Sequence, residues 1–208
     1  MRGGIWYRFL QHIKSHIFGY LLLLAVLILG LSLGLAASSG LEQGESGQIT
    51  IFVDSLLRQL PDDGIDKMVE FKNSLLFNGA LLFLLWLCGL SIIGFPLALG
   101  LLFYKGYSIG FCIGVLLGYK TLPGFIVVIL AILPQHLIIL PVLLMGAMET
   151  INFSRYLLQP LRNGGKSLSR VFSRYSSRFL LLLLGVALGA WLQGYLAPFL
   201  LKTFFTIV

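Results

Sequence analysis

The chain has 208 residues, 58% of them apolar and only 11% charged, with a mean hydropathy of +0.94 and a formal net charge of +7. Soluble domains carry about a quarter charged residues, so an ordinary globular enzyme or a nucleic-acid binder is excluded, and lipid surrounds most of the chain. The predicted fold class is an all-α polytopic membrane protein with five transmembrane helices and amphipathic interfacial helices.

In residues 1–16, Trp6, Phe9, Leu10 and Ile13 share one helical face with Ile17, opposed by Arg8, Gln11 and Lys14, a basic amphipathic arm. His12 and His16 are one turn apart but have no third ligand near them, so no metal site is expected. Residues 17–37 contain no charge and are long enough for a bilayer core of about 30 Å, giving the first span. Ala36-Ala37-Ser38 resembles a cleavage site, but the run exceeds the usual signal-peptide core of about 7–15 residues.

Residues 38–74 form a loop with Arg58, Lys67 and Lys72 against Glu42, Glu45, Asp54, Asp62, Asp63, Asp66 and Glu70, or 3 − 7 = −4. Within it Ile49, Phe52, Val53, Leu56, Leu57 and Leu60 recur with helical spacing, capped by Ser46 and ended by Pro61. Such a stripe is expected to be buried, either on an extracytoplasmic partner or on lipid and the protein's own spans. Asp62-Asp63-Gly64-Ile65-Asp66 reads as a turn in which Asp63 caps a helix whose first turn holds Asp66.

Residues 75–148 contain only Lys105 and Lys120 as charges and are read as three spans: 75–95, 96–118 and 123–148. The breaks fall at Gly94-Phe95-Pro96 and between Gly118 and Pro123. Gly106, Gly110, Gly114 and Gly118 line one side of the third span, a close-packing face for a second copy or for a neighbouring span. In the fourth span Pro134 and Pro141 point to a broken helix of the kind that lines transporter sites. Lys105, Gln135 and His136 are the polar intramembrane candidates. They either form a chamber, or Lys105 snorkels while Gln135 and His136 satisfy backbone groups freed by the prolines. Cys88 and Cys112 have no ligand spacing and read as small core residues.

The loop 149–178 carries Arg155, Arg162, Lys166, Arg170, Arg174 and Arg178 against Glu149, or 6 − 1 = +5. Lys166, Arg170, Arg174 and Arg178 sweep one side of a helix while Leu168, Val171, Phe172, Tyr175 and Phe179 gather on the other. This basic amphipathic helix leads into a fifth span, 179–201, and its charges are expected to anchor on an anionic inner leaflet. Lipid attraction accounts for these bases without nucleic acid. Both basic segments then lie in the cytoplasm, which requires the even number of crossings that spans one to four supply. The N-terminus is predicted inside, with the acidic loop and the tail 202–208 outside.

No nucleotide loop, serine elbow, zinc-protease motif or zinc-type cysteine pair occurs, so neither a catalytic site nor a cofactor is expected. The block 103–110, Phe-Tyr-Lys-Gly-Tyr-Ser-Ile-Gly, and the block 133–141, Leu-Pro-Gln-His-Leu-Ile-Ile-Leu-Pro, carry a resemblance. With the basic arm, the single span and the outer loop ahead of them, the chain resembles the stage II sporulation protein M family over essentially its whole length. Its most specific matches are Asn78, Lys105-Gly106 where the family often has Asn-Gly, and Pro134-Gln135-His136 through Pro141. The resemblance implies a non-enzymatic scaffold in the septal membrane, needed for forespore engulfment. It also implies a complex with two peptidoglycan-degrading enzymes, sporulation proteins D and P. The alternative is a small-molecule transporter or permease built on the chamber in the fourth span.

Overall fold

The computed structural model describes residues 17–40, 66–119, 125–158 and 168–207. The apolar stripe Phe52, Val53, Leu56, Leu57 and Leu60, the N-terminal arm, Asp63 and Lys166 lie outside the described residues. Six helices are described: α1 (Ile17–Ser38), α2 (Lys67–Gly89), α3 (Gly94–Tyr119), α4 (Leu133–Leu158), α5 (Leu168–Trp191) and α6 (Ala197–Ile207). A π-helical turn, Val128–Ile132, runs directly into α4, and a second, Leu192–Leu196, joins α5 to α6. Five continuous helical stretches are long and apolar enough to cross a membrane, the fourth being Phe125–Leu158 and the fifth Leu168–Thr203.

Their bounds depart from the apolar runs for local reasons. α2 begins at Lys67, about two turns before the uncharged stretch, because the Asp66 carboxylate accepts from the backbone N–H groups of Met68 and Val69. Asp66 is therefore the cap itself rather than a first-turn residue, and the helix-favouring capping geometry outweighs the polar character of Lys67, Glu70 and Lys72. α2 stops at Gly89, and the turn into α3 falls at residues 90–93, ahead of the predicted Gly94-Phe95-Pro96 break. Pro96 instead sits in the first turn of α3, where a missing N–H has no helical partner to lose. The fourth span is unbroken despite Pro134 and Pro141.

Side chains facing outward are the wrong kind for water. Phe18 is 86% exposed and Leu180 67%, and similar aliphatic residues cover the outside of every span, as expected where lipid is the solvent. The interior is built from Leu23, Leu85, Leu102, Ile139, Leu143 and Val186, which are almost wholly buried.

Lipid removes most of the hydrophobic driving force between helices, so packing has to come from close approach and internal hydrogen bonds. Close approach dominates between α1 and α3. A Cβ on Gly30 or Gly34 would collide with the carbonyl oxygens of Phe103 and Tyr107, and one on Gly106 or Gly110 with those of Leu27 and Leu31. The two backbones thus lie directly against each other and run parallel. The glycine face of the third span is consumed within the chain, except at Gly118, where a Cβ would meet nothing within 4 Å.

Hydrogen bonds dominate at the end of α2. Leu90 N–H turns back to Leu87 O, which deprives Trp86 O of its helical donor. Tyr175 Oη supplies that donor at 2.8 Å. Thr150 Oγ1 donates to Leu85 O at 2.8 Å and Ser154 Oγ to Ser91 O at 2.9 Å, so three side chains from α4 and α5 satisfy the carbonyls of the α2 exit.

The basic helix and the fifth span are one helix. Its aromatic face does not lie along a surface: Tyr175 stacks on Phe153 with ring centroids 4.3 Å apart, and Phe179 meets Tyr175 edge-on at 4.9 Å. Arg170 and Arg174 point outward, while Arg178 donates to the Glu149 carboxylate at 2.6 Å. Gly19 lies beside the Met148 thioether and Gly194 beside the Lys67 carbonyl. The start of α1, the exit of α2 and the Glu149–Arg178 pair therefore share one end of the bundle. The Asp66 cap and the end of α5 share the other.

Candidate functional site

At the Asp66 end the helices part around a cavity of about 740 Å³. Its wall comes from the first turns of α2, the C-terminal half of α3, the π-helical turn ahead of α4 with the first turn of α4, and the start of α6. Lys105, Gln135 and His136 all line it, together with Ser74, Asn78 and Gln193, which the sequence did not single out as chamber residues. From Glu70 at its rim to Asn78 is eight residues of α2, or about 12 Å of helix at 1.5 Å per residue. The cavity therefore reaches the middle of the span.

Two wide turns shape the wall. Each ends two residues before a proline, Pro134 in one case and Pro198 in the other. Proline has no N–H for the carbonyl four residues back, and its ring collides with that carbonyl. In both turns the chain shifts to bonds spanning five residues, Leu133 N–H to Val128 O and Ala197 N–H to Leu192 O. The helix is widened rather than broken, which is the usual form of a π-bulge at a functional position.

Lys105 sits in the interior of α3 and is only 5% exposed. It neither snorkels nor lies at an irregular turn, because a partner waits at mid-depth: Nζ donates to Asn78 Oδ1 at 2.8 Å and lies 5.1 Å from the centre of the Phe77 ring. Asn78 is itself fixed, its Nδ2 donating to Ser74 O at 2.9 Å. This amide dipole takes the place of the acid that the spans lack.

His136 Nδ1 lies 2.7 Å from Ile132 O. A carbonyl can only accept, so Nδ1 carries the proton and Nε2 is left as an acceptor. His136 thus serves a carbonyl in the π-helical turn, but not one freed by a proline, since the N–H groups missing at Pro134 and Pro141 would address carbonyls four or five residues back and Ile132 is neither. Gln135 is 7% exposed and its Oε1 has no hydrogen-bond partner.

A family-level comparison matches residues 21–198 to Stage II sporulation protein M. The chain belongs to the stage II sporulation protein M family. The matched stretch runs from the first turns of α1 to Pro198 at the start of α6, so every described residue lining the cavity except Leu201 falls within the family's extent. Comparison with curated proteins found no match, and neither did comparison with solved structures. Membership makes this a sporulation-related, multi-pass membrane protein.

Within this family member the cysteines are not core residues. Cys88 is half-buried, and Cys112 is exposed along the cavity wall two turns above Lys105. Among the described residues no three His, Cys, Asp or Glu side chains gather where they could hold a metal. The Asn78–Lys105 pairing was hidden in the sequence because its two ends are 27 residues apart. Its signal is a polar residue at mid-span on each of two neighbouring helices, since each such group needs a partner in lipid.

Proposed function

We propose that this protein is a non-enzymatic membrane scaffold that recruits peptidoglycan-degrading enzymes, sporulation proteins D and P, to the septal membrane for forespore engulfment. The observation that carries the reading is the family match over residues 21–198. Two features support it. The helices bury most of their polar groups in mutual contacts that hold a bundle together, with Thr150, Ser154 and Tyr175 all engaged on α2 and its exit. The charge pattern assigns the basic segments to the cytoplasm and the acidic loop, with its stripe from Phe52 to Leu60, to the side where wall enzymes work.

In this reading the Glu149 end of the bundle is cytoplasmic, and Arg170 and Arg174 face the anionic inner leaflet. Each such base near the surface contributes about 1 kcal/mol. The outer loop supplies the docking face, and the bundle supplies position. Imaging fluorescently tagged wall hydrolases in sporulating cells tests the reading. Deleting the gene for this protein should disperse the hydrolases from the septum, whereas septal hydrolase foci that persist unchanged would refute a recruiting role.

A further inference from the structure

The cavity contains hydrogen-bonding groups that the protein does not use up. The Lys105 ammonium has three donors, and among the described residues Asn78 is the one side chain that accepts from it. Gln135 Oε1 is a buried acceptor without a donor, and His136 Nε2 is turned out of its own hydrogen bond to Ile132. A buried amide oxygen left unpaired in a low-dielectric interior is costly. The rest of the wall is largely apolar, with Ile109, Val115, Leu116, Ala131 and Leu201 prominent. A few convergent polar groups in an apolar cavity of about 740 Å³ is the usual composition of a small-molecule site.

We propose that the cavity binds a small organic monoanion, a carboxylate that pairs with Lys105 and carries a neutral N–H or O–H donor for Gln135, on an apolar body. The charge count sets the class. Among the described residues Lys105 is the single cation lining the cavity and no arginine accompanies it, so one negative charge is matched and a phosphate dianion is not. Glu70, the other charged group among the described lining residues, stands at the rim about 12 Å along α2 from Asn78, the partner of Lys105, which directs the anionic end of the ligand inward to Lys105. Among the described residues no acid other than Glu70 at the rim lines the cavity, so the group donated to the Gln135 oxygen is neutral rather than an ammonium. An acylated amino acid is the simplest molecule that has all three features.

Cys112 reports on occupancy because it lines the same wall. In full-length protein carrying Cys88→Ala, in lipid nanodiscs, maleimide labelling of Cys112 is measured against rising N-acetyl-L-leucine or its uncharged amide, N-acetyl-L-leucinamide. The acid should slow labelling in a saturable way and the amide should not. The half-protecting concentration should rise about tenfold or more with Gln135→Leu, corresponding to loss of one buried hydrogen bond, and protection should vanish with Lys105→Met. Gln135→Leu removes no partnered group, so it keeps the test decisive if Lys105→Met fails to fold. Absence of protection by the acid, equal protection by acid and amide, or an unchanged half-protecting concentration in Gln135→Leu would each overturn the proposal.

Discussion

Lys105 Nζ and Asn78 Oδ1 meet at 2.8 Å in the middle of the bundle, joining α3 to α2 where neither helix could tolerate its polar group alone. Removing one partner leaves the other buried and unsatisfied. We expect Lys105→Met to destabilise the protein by about 1–3 kcal/mol, read as a lowered denaturant midpoint in detergent micelles. Adding Asn78→Leu to Lys105→Met should cost less than the sum of the two single changes. Strict additivity would mean that the two side chains do not support each other.

The α1–α3 contact predicts a sharp contrast among glycines. Gly106→Val and Gly110→Val drive a side chain into the backbone of α1, and overpacking of this kind costs about 1–3 kcal/mol or more. Gly79→Ala and Gly100→Ala meet nothing within 4 Å, and each should be neutral or stabilise by up to about 1 kcal/mol through helix propensity. Thermal unfolding of the four variants in one detergent checks this. A stable Gly110→Val protein would show that the two helices are not held backbone to backbone.

The five spans were legible because length and charge are one-dimensional properties: an uncharged run such as residues 17–37 needs no partner to be recognised. The glycines of α3 were legible as a packing face, but Gly30 and Gly34, which receive Phe103 and Tyr107, were not, since nothing in α1 alone says which helix it meets. Pro134 was legible as a disturbance and its form was not. A proline costs a hydrogen bond wherever it sits, and whether the helix breaks or widens depends on the surrounding helices. The chamber's residues Lys105, Gln135 and His136 were visible as polar outliers, while Asn78 and Gln193 joined them only through the tertiary fold.

The charge pattern predicts an N-terminus and a loop 149–178 in the cytoplasm. With Cys88→Ala and Cys112→Ala as background, Ser46→Cys should react with an impermeant maleimide on intact cells, and Ser169→Cys should react only after permeabilisation. The reverse pattern would invert the assigned orientation.

The basic turns of α5 should act through charge rather than through residue identity. Arg170→Lys with Arg174→Lys is expected to preserve insertion, whereas Glu at both positions should reduce correctly oriented protein several-fold, since each base near the leaflet contributes about 1 kcal/mol. Protease accessibility of the C-terminus measures the oriented fraction. Equal damage from the Lys pair would indicate bidentate arginine contacts to a specific acidic group.

The stripe Phe52, Val53, Leu56 and Leu57 is the predicted docking face for the wall enzymes. Burying two leucines stabilises a complex by about 3–6 kcal/mol, so Leu56→Glu with Leu57→Glu should sharply reduce complex yield while the five spans stay inserted. A normal yield would place the docking face elsewhere on the protein.

Recruitment of wall hydrolases is the central claim, and affinity purification of the tagged protein from cross-linked, engulfing cells tests it most directly. The account predicts that two peptidoglycan-degrading enzymes co-purify with it as major partners. Recovery of the membrane-inserted protein without any wall-degrading enzyme would contradict it.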